Sequence, residues 1–192
     1  MNNKSSIQAR RIAILAQKSE TVFHIKDLAN LWDIRDQKTL RMTVKRYADS
    51  ALIFRIYRGF YSTLPLEKLD PEWVGFKALH TYCYLSTETV LFKAGTISQK
   101  PNYITFVSGH SKKFAIGGMD FSSRKLQDLF LYNSEGISQK NGFRTASVER
   151  AIADMLYFNP LCPFDKKIDW KAIKNIQKKI GYPLTTDRYD IT

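Results

Sequence analysis

Six side chains between residues 37 and 47 have the chemistry to read a polyanion: Lys38, Thr39, Arg41, Met42, Lys45 and Arg46. Arginine and lysine donate to guanine edges or phosphates, threonine donates to a phosphate, and a methionine end suits a thymine methyl. Helical spacing would gather them. At about 100° per residue, a helix centred on Leu40 brings Val44, Tyr47 and Ala51 onto one apolar face. Lys38, Met42, Lys45 and Arg46 then fall opposite, with Thr39 and Arg41 on the flanks, and no acid intervenes until Asp49. The β-prone run 52–57 follows, then Arg58-Gly59, then Phe60-Tyr61-Ser62. Glycine between two such runs signals a hairpin. Arg55, Tyr57 and Arg58 would sit on it, placed for a DNA backbone or minor groove. A helix followed by a basic hairpin is how a winged helix-turn-helix meets a duplex, with the helix in the major groove.

Other candidate groups carry weaker chemistry. His24, His80 and His110 are scattered and form no metal-ligand spacing. Residues 108–113 (SGHSKK) lack the spacing of a phosphate loop and read as a basic connection between strands. Glu88 and Glu149 suit the first turns of helices, where an acid offsets the helix dipole. Asp154 is spaced to pair with Arg150 as a surface or interdomain ion pair of small worth. The Lys166–Lys167 and Lys178–Lys179 pairs read as solvated charge. No catalytic set, metal site or cofactor is expected, so the chain reads as a non-enzyme. Cys83 and Cys162 are far apart, fit no metal spacing, and read as reduced thiols.

Composition agrees with a nucleic-acid partner. The 192 residues fit one large domain or two small ones, and the 44% hydrophobic and 13% aromatic content can build a core. Net charge is +12. Residues 1–64 hold twelve Lys/Arg against five Asp/Glu, a net of +7, while the remaining two thirds carry +5. Such an excess favours a polyanion and says nothing about fold. No apolar run approaches the ~18 residues that would span a bilayer, and residues 1–11 lack the apolar stretch of a signal peptide. A cytoplasmic protein without a membrane partner is expected.

The elements that must position these groups can be read in order. Residues 5–18 predict a helix capped by Ser5 or Ser6, and Thr21-Val22-Phe23 a short strand. Residues 24–32 predict a second helix, with His24 at its cap and Asp27 three residues on. A turn at 33–36 leads to the basic helix. The polar, Pro-containing stretch 64–72 predicts a linker, with the boundary near 64–75. Residues 73–84 are apolar and fit helix or strand. Residues 86–95 predict a helix capped by Ser86 and ended by Gly95. Strands are expected at 103–108, 112–116, 119–121 and 143–145, with a turn at Asn141-Gly142; residues 126–132 are ambiguous. A helix over 147–158 should bury Val148, Ala151, Ile152, Met155 and Leu156 and stop at Pro160. A basic helix over 169–180 should bury Trp170, Ile173, Ile176 and Ile180 and end at Gly181. The expected fold class is α+β: a winged helix-turn-helix domain over residues 1–64, then a small mixed α/β domain over 73–192.

Four pieces in this order resemble the AbiEi family, the antitoxins and transcriptional regulators of the AbiE abortive-infection (type IV) toxin–antitoxin systems. They are the N-terminal unit ending Arg58-Gly59-Phe60-Tyr61, the segment 84–91 (YLSTETVL) with Gly95, the strand 104–108 (ITFVS), and 144–157 (RTASVERAIADMLY). The resemblance covers roughly residues 10–158. It implies a winged-helix domain that represses its own operon through inverted repeats in the promoter. It also implies a second domain that opposes a nucleotidyltransferase-like toxin encoded next door. The expected partners are therefore double-stranded operator DNA and a cognate toxin, with the chain acting as a monomer or homodimer. The alternative is a protein-interaction antitoxin without a major DNA role, using the basic helix 169–180 and the strands near 103–121.

Overall fold

The structure is a computed structural model that describes residues 3–140 and 142–185. The chain divides between Asp70 and Pro71 into two compact units. The architecture is α+β, with a sheet in each unit.

The first unit runs α1 (Asn3–Ala16), β1 (Val22–His24), α2 (Ile25–Trp32), α3 (Gln37–Asp49), β2 (Phe54–Tyr57) and β3 (Phe60–Ser62). The strands pair antiparallel in the order β1-β3-β2, with β3 in the middle. The three helices and the sheet close over Leu15, Phe23, Leu28, Trp32, Leu40, Val44, Tyr47, Ile53 and Tyr61. Trp32 meets Tyr47 edge-on, with ring centroids 5.4 Å apart, an arrangement that adds to simple area burial. The Trp32 indole donates to the Arg11 carbonyl at 3.2 Å, joining α2 to α1. The α2 start is fixed by the Asp27 carboxylate, which accepts from the His24 backbone N–H at 2.8 Å. Asp33 then takes a left-handed conformation (φ 49°) that ends α2 and turns the chain toward α3.

Three expectations fail in this unit. Ser5 and Ser6 lie inside α1 rather than capping it. Ala51 is exposed and off the helix, because α3 ends at Asp49 and Ala51 adopts φ 54°. The strand expected from residue 52 begins at Phe54, since Ile53 is drawn into the core instead.

The second unit opens with α4 (Pro71–Leu79), so the predicted linker is shorter than 64–72. Proline at a first helical position loses no intrahelical bond, which is why a Pro-containing stretch still starts a helix. Then follow β4 (Cys83–Leu85), α5 (Glu88–Lys93), β5 (Ile104–Ser108), β6 (Lys112–Ile116), β7 (Met119–Lys125) and α6 (Asp128–Leu131). The unit continues with β8 (Ile137–Lys140), β9 (Phe143–Ala146), α7 (Val148–Phe158) and α8 (Trp170–Ile180). The ambiguous segment 73–84 thus holds both a helix and the start of a strand. β7 runs four residues past its predicted end. β8 and β9 pair antiparallel around Gly142 (φ 86°). Asn141, the other half of the predicted turn, lies outside the described residues.

The mixed sheet has the order β6-β7-β5-β4-β9-β8, with β5 parallel to β7 and β4 parallel to β9. Side chains alternate across it. Phe106 and Phe121 face α4, where Gly75 sits directly on their rings. Thr105 faces the other way and exchanges hydrogen bonds with Thr89 of α5.

α7 is covered on nearly every side, and residues 150–156 are all buried. Arg150 and Asp154 are therefore not a surface pair: they form a fully buried ion pair at 2.9 Å. Arg150 also donates to the Tyr84 hydroxyl and to the carbonyls of Phe130, Asn133 and Glu135. Asp154 accepts from the Ser86 and Tyr182 hydroxyls as well. That bond explains why Ser86 is not the predicted cap of α5. Thr87 holds the cap position instead, at φ 52°. Val148 is only half-buried. The α8 face is as expected for Ile173, Ile176 and Ile180, while Trp170 stays half-exposed.

Candidate nucleic-acid interface

α3 owes its start to Asp36, whose carboxylate accepts from the Thr39 backbone N–H at 2.7 Å. This cap fills a donor left over at the helix terminus. It also holds the Asp36 carboxyl below the usual carboxylate range: the hydrogen bonds from Thr39 stabilise its charged form. Leu40, Thr43, Val44 and Tyr47 are buried along one face of α3. Lys38, Thr39, Arg41, Met42, Lys45 and Arg46 are all exposed on the rest of its surface. Met42 is 64% exposed. An unbranched apolar side chain left in water among cations gains nothing for the fold there. The Arg46 guanidinium lies 5.5 Å from the centre of the Tyr47 ring, which limits the range of its side chain.

The second group sits on the β2–β3 hairpin. Arg55 and Arg58 are exposed, and Tyr57 is 39% exposed. Gly59 makes the turn with φ 80°, a conformation that a Cβ would oppose. The pairing register shifts between Arg55 and Tyr57, a bulge that redirects side chains near the tip. Two contacts hold the tip. The Gly59 carbonyl accepts from the Ile25 N–H at 2.9 Å, and the Tyr57 ring rests 4.9 Å from that of buried Phe60. Partial burial raises the Tyr57 hydroxyl pKa above its ordinary value.

All nine predicted residues thus lie at the surface of the first unit, six on α3 and three on the hairpin. Among the described residues, no ion pair occupies Lys38, Arg41, Lys45, Arg46, Arg55 or Arg58. Their guanidinium and ammonium groups remain available to an external anion. Exposed Arg35, directly before the Asp36 cap, was not among the predicted residues. Its signal was a basic residue at the mouth of the turn, outside the helical pattern.

Among the described residues no group of three His, Cys, Asp or Glu is placed to hold a metal ion, and no helix is long and apolar enough to cross a membrane. The Ser108 hydroxyl bonds the His110 carbonyl and the Ser123 hydroxyl, so the 108–113 connection closes on itself. Lys166 donates to the Ala94 carbonyl at 2.7 Å, and Lys179 pairs with Glu135 at 2.7 Å; neither is simply solvated. The chain matches no protein-family model and no curated protein.

Proposed function

We propose that the chain is a sequence-specific DNA-binding transcriptional repressor whose first unit acts as a winged helix-turn-helix. In this reading α3 enters the major groove and the β2–β3 hairpin is the wing, resting on the backbone or in the minor groove. On the resemblance to the AbiEi family, its role is that of the autoregulating antitoxin of a type IV toxin–antitoxin operon. The observation that carries the DNA reading is the division of α3. Every core position of the helix is filled, while its four cations, Thr39 and Met42 stand exposed, and among the described residues none of the four cations is in an ion pair.

The residues then sort by chemistry. Arg41 and Arg46 offer bidentate donors to guanine O6 and N7, Lys38 and Lys45 neutralise phosphates, and Thr39 donates to a phosphate oxygen. Met42 reaches a thymine methyl. Arg55 and Arg58 serve the wing, with Tyr57 donating to the backbone. Inverted repeats would take two copies of the chain, as a dimer or as two monomers on one operator. A gel shift with the DNA upstream of the coding sequence, set against unrelated DNA of equal length, tests the proposal. Retarded upstream DNA alone is the expected result; equal retardation of both would remove sequence specificity.

A second reading makes the chain an interaction module that opposes a toxin through its second unit. It is supported by the exposed side of α8, which carries Lys171, Asn175 and Lys178 opposite the buried isoleucines. Co-purification with the product of the neighbouring gene, lost on reversing those lysine charges, tests it.

A further inference from the structure

The second unit holds a cleft of about 980 Å³, at the upper end of the size of small-ligand sites. Its floor is the sheet face turned away from α4. There Lys113, Ser122 and Thr105 stand in register across β6, β7 and β5, and Arg124 lies two residues along β7 from Ser122. One wall is the loop 97–103, and the other is formed by the end of α7 and residues 162–165. The two walls are tied together: the Asp165 N–H donates to the Thr96 carbonyl at 2.9 Å, and the Asp165 carboxylate accepts from the Ser98 N–H.

The charges in the cleft are not balanced. Lys100, Lys113 and Arg124 line it against Glu88 and Asp165, while Lys112 borders it with its ammonium turned to the other face of the sheet, 5.1 Å from the Phe114 ring. Glu88 is paired with Arg124, and the guanidinium is further settled against Met155 Sδ at 3.6 Å and the Phe158 ring at 5.5 Å. That leaves two lysines, Lys100 and Lys113, neither in an ion pair among the described residues, against one carboxylate already engaged with a backbone N–H. The Lys113 ammonium is held 4.8 Å from the centre of the Tyr103 ring, at the cleft. Ile97, Pro101, Tyr103 and Pro163 add apolar surface to its walls.

We infer that this cleft binds a nucleoside phosphate. The uncompensated lysines answer the phosphate, the apolar wall surface answers a flat base, and Ser122 on the floor offers a hydroxyl to the sugar. The Glu88–Arg124 pair positions the guanidinium rather than cancelling the site, because the lysines remain. This site is built wholly from the second unit and does not depend on the DNA reading.

Isothermal titration calorimetry on the full chain tests it, with AMP, GMP, CMP, UMP and their triphosphates as probes. Adenosine, guanosine and inorganic phosphate are the controls. At least one nucleotide should bind at one per chain. Lys100→Ala with Lys113→Ala should weaken it by about tenfold or more, the range of a lost charge-assisted hydrogen bond, with an unchanged circular dichroism spectrum and melting temperature. Arg41→Ala with Arg46→Ala should leave nucleotide binding intact. Any of four results would overturn the inference. These are no heat with any nucleotide at millimolar concentration, inorganic phosphate or a bare nucleoside binding as tightly as the nucleotide, the lysine variant binding as well as the parent, or loss of binding only in the α3 variant.

Discussion

Arg150 and Asp154 stand one helical turn apart on α7, 2.9 Å from each other, and neither side chain touches solvent. Five N–H groups of Arg150 are spread over Asp154, Tyr84 and three backbone carbonyls, so the guanidinium is fully satisfied. Its acidity follows the same geometry. Burial pulls its pKa down, but the Asp154 carboxylate and the Tyr84 hydroxyl outweigh that and the net shift is upward. Removing one partner leaves the other charged and unanswered in the interior. Arg150→Ala or Asp154→Ala should therefore cost about 3–5 kcal/mol, read as a drop in urea midpoint. A surface-like loss of a few tenths would contradict the buried network.

Gly75 makes a second demand on the same unit. A Cβ built there would lie 2.5 Å from the Phe121 ring and 2.8 Å from that of Phe106. The side chain of any other residue would push α4 off the sheet. Gly75→Ala should destabilise the second unit by about 1–3 kcal/mol, the usual cost of overpacking, despite the better helix propensity of alanine. Thermal melting checks this. A stabilised Gly75→Ala variant would show that α4 does not rest on those rings.

Much of this architecture was open to sequence reasoning, because helical and strand periods record which face is buried. Leu40, Val44 and Tyr47 mark the inner side of α3, and Ile173, Ile176 and Ile180 that of α8. What failed depended on partners distant in sequence. Ser86 has the form of a cap, but its hydroxyl is taken by Asp154, 68 residues away. The i, i+4 spacing of Arg150 and Asp154 fits an exposed pair as well as a buried one; only Tyr84, Tyr182 and three carbonyls decide it. Gly75 gave no signal either, since the rings that require it lie on β5 and β7. The cleft is assembled from segments between residues 88 and 165, and no local pattern announces it.

The cap of α3 makes a pH prediction. Hydrogen bonds from Thr39 depress the Asp36 pKa in the folded chain. The sign for a depressed carboxyl is fixed: its contribution is present above the unfolded pKa and is lost as pH falls through the folded one. Acid should thus loosen the first turn of α3, and Asp36→Asn should remove this part of the pH dependence. A titration followed at the Asp36 carboxyl carbon checks it. A midpoint at or above the ordinary aspartate value would contradict the cap.

The central claim is that the exposed side of α3 reads a duplex. The direct measurement is fluorescence anisotropy of a labelled duplex from the upstream region, titrated with the full chain over a salt series. Parent protein is compared with Arg41→Ala and Arg46→Ala. Binding by the parent should weaken steeply with salt, as phosphate contacts require. An arginine that contacts a base bidentately should cost about 1–3 kcal/mol when removed, with the fold unchanged by circular dichroism. Parent-like affinity in the doubly substituted protein at moderate salt would contradict the account.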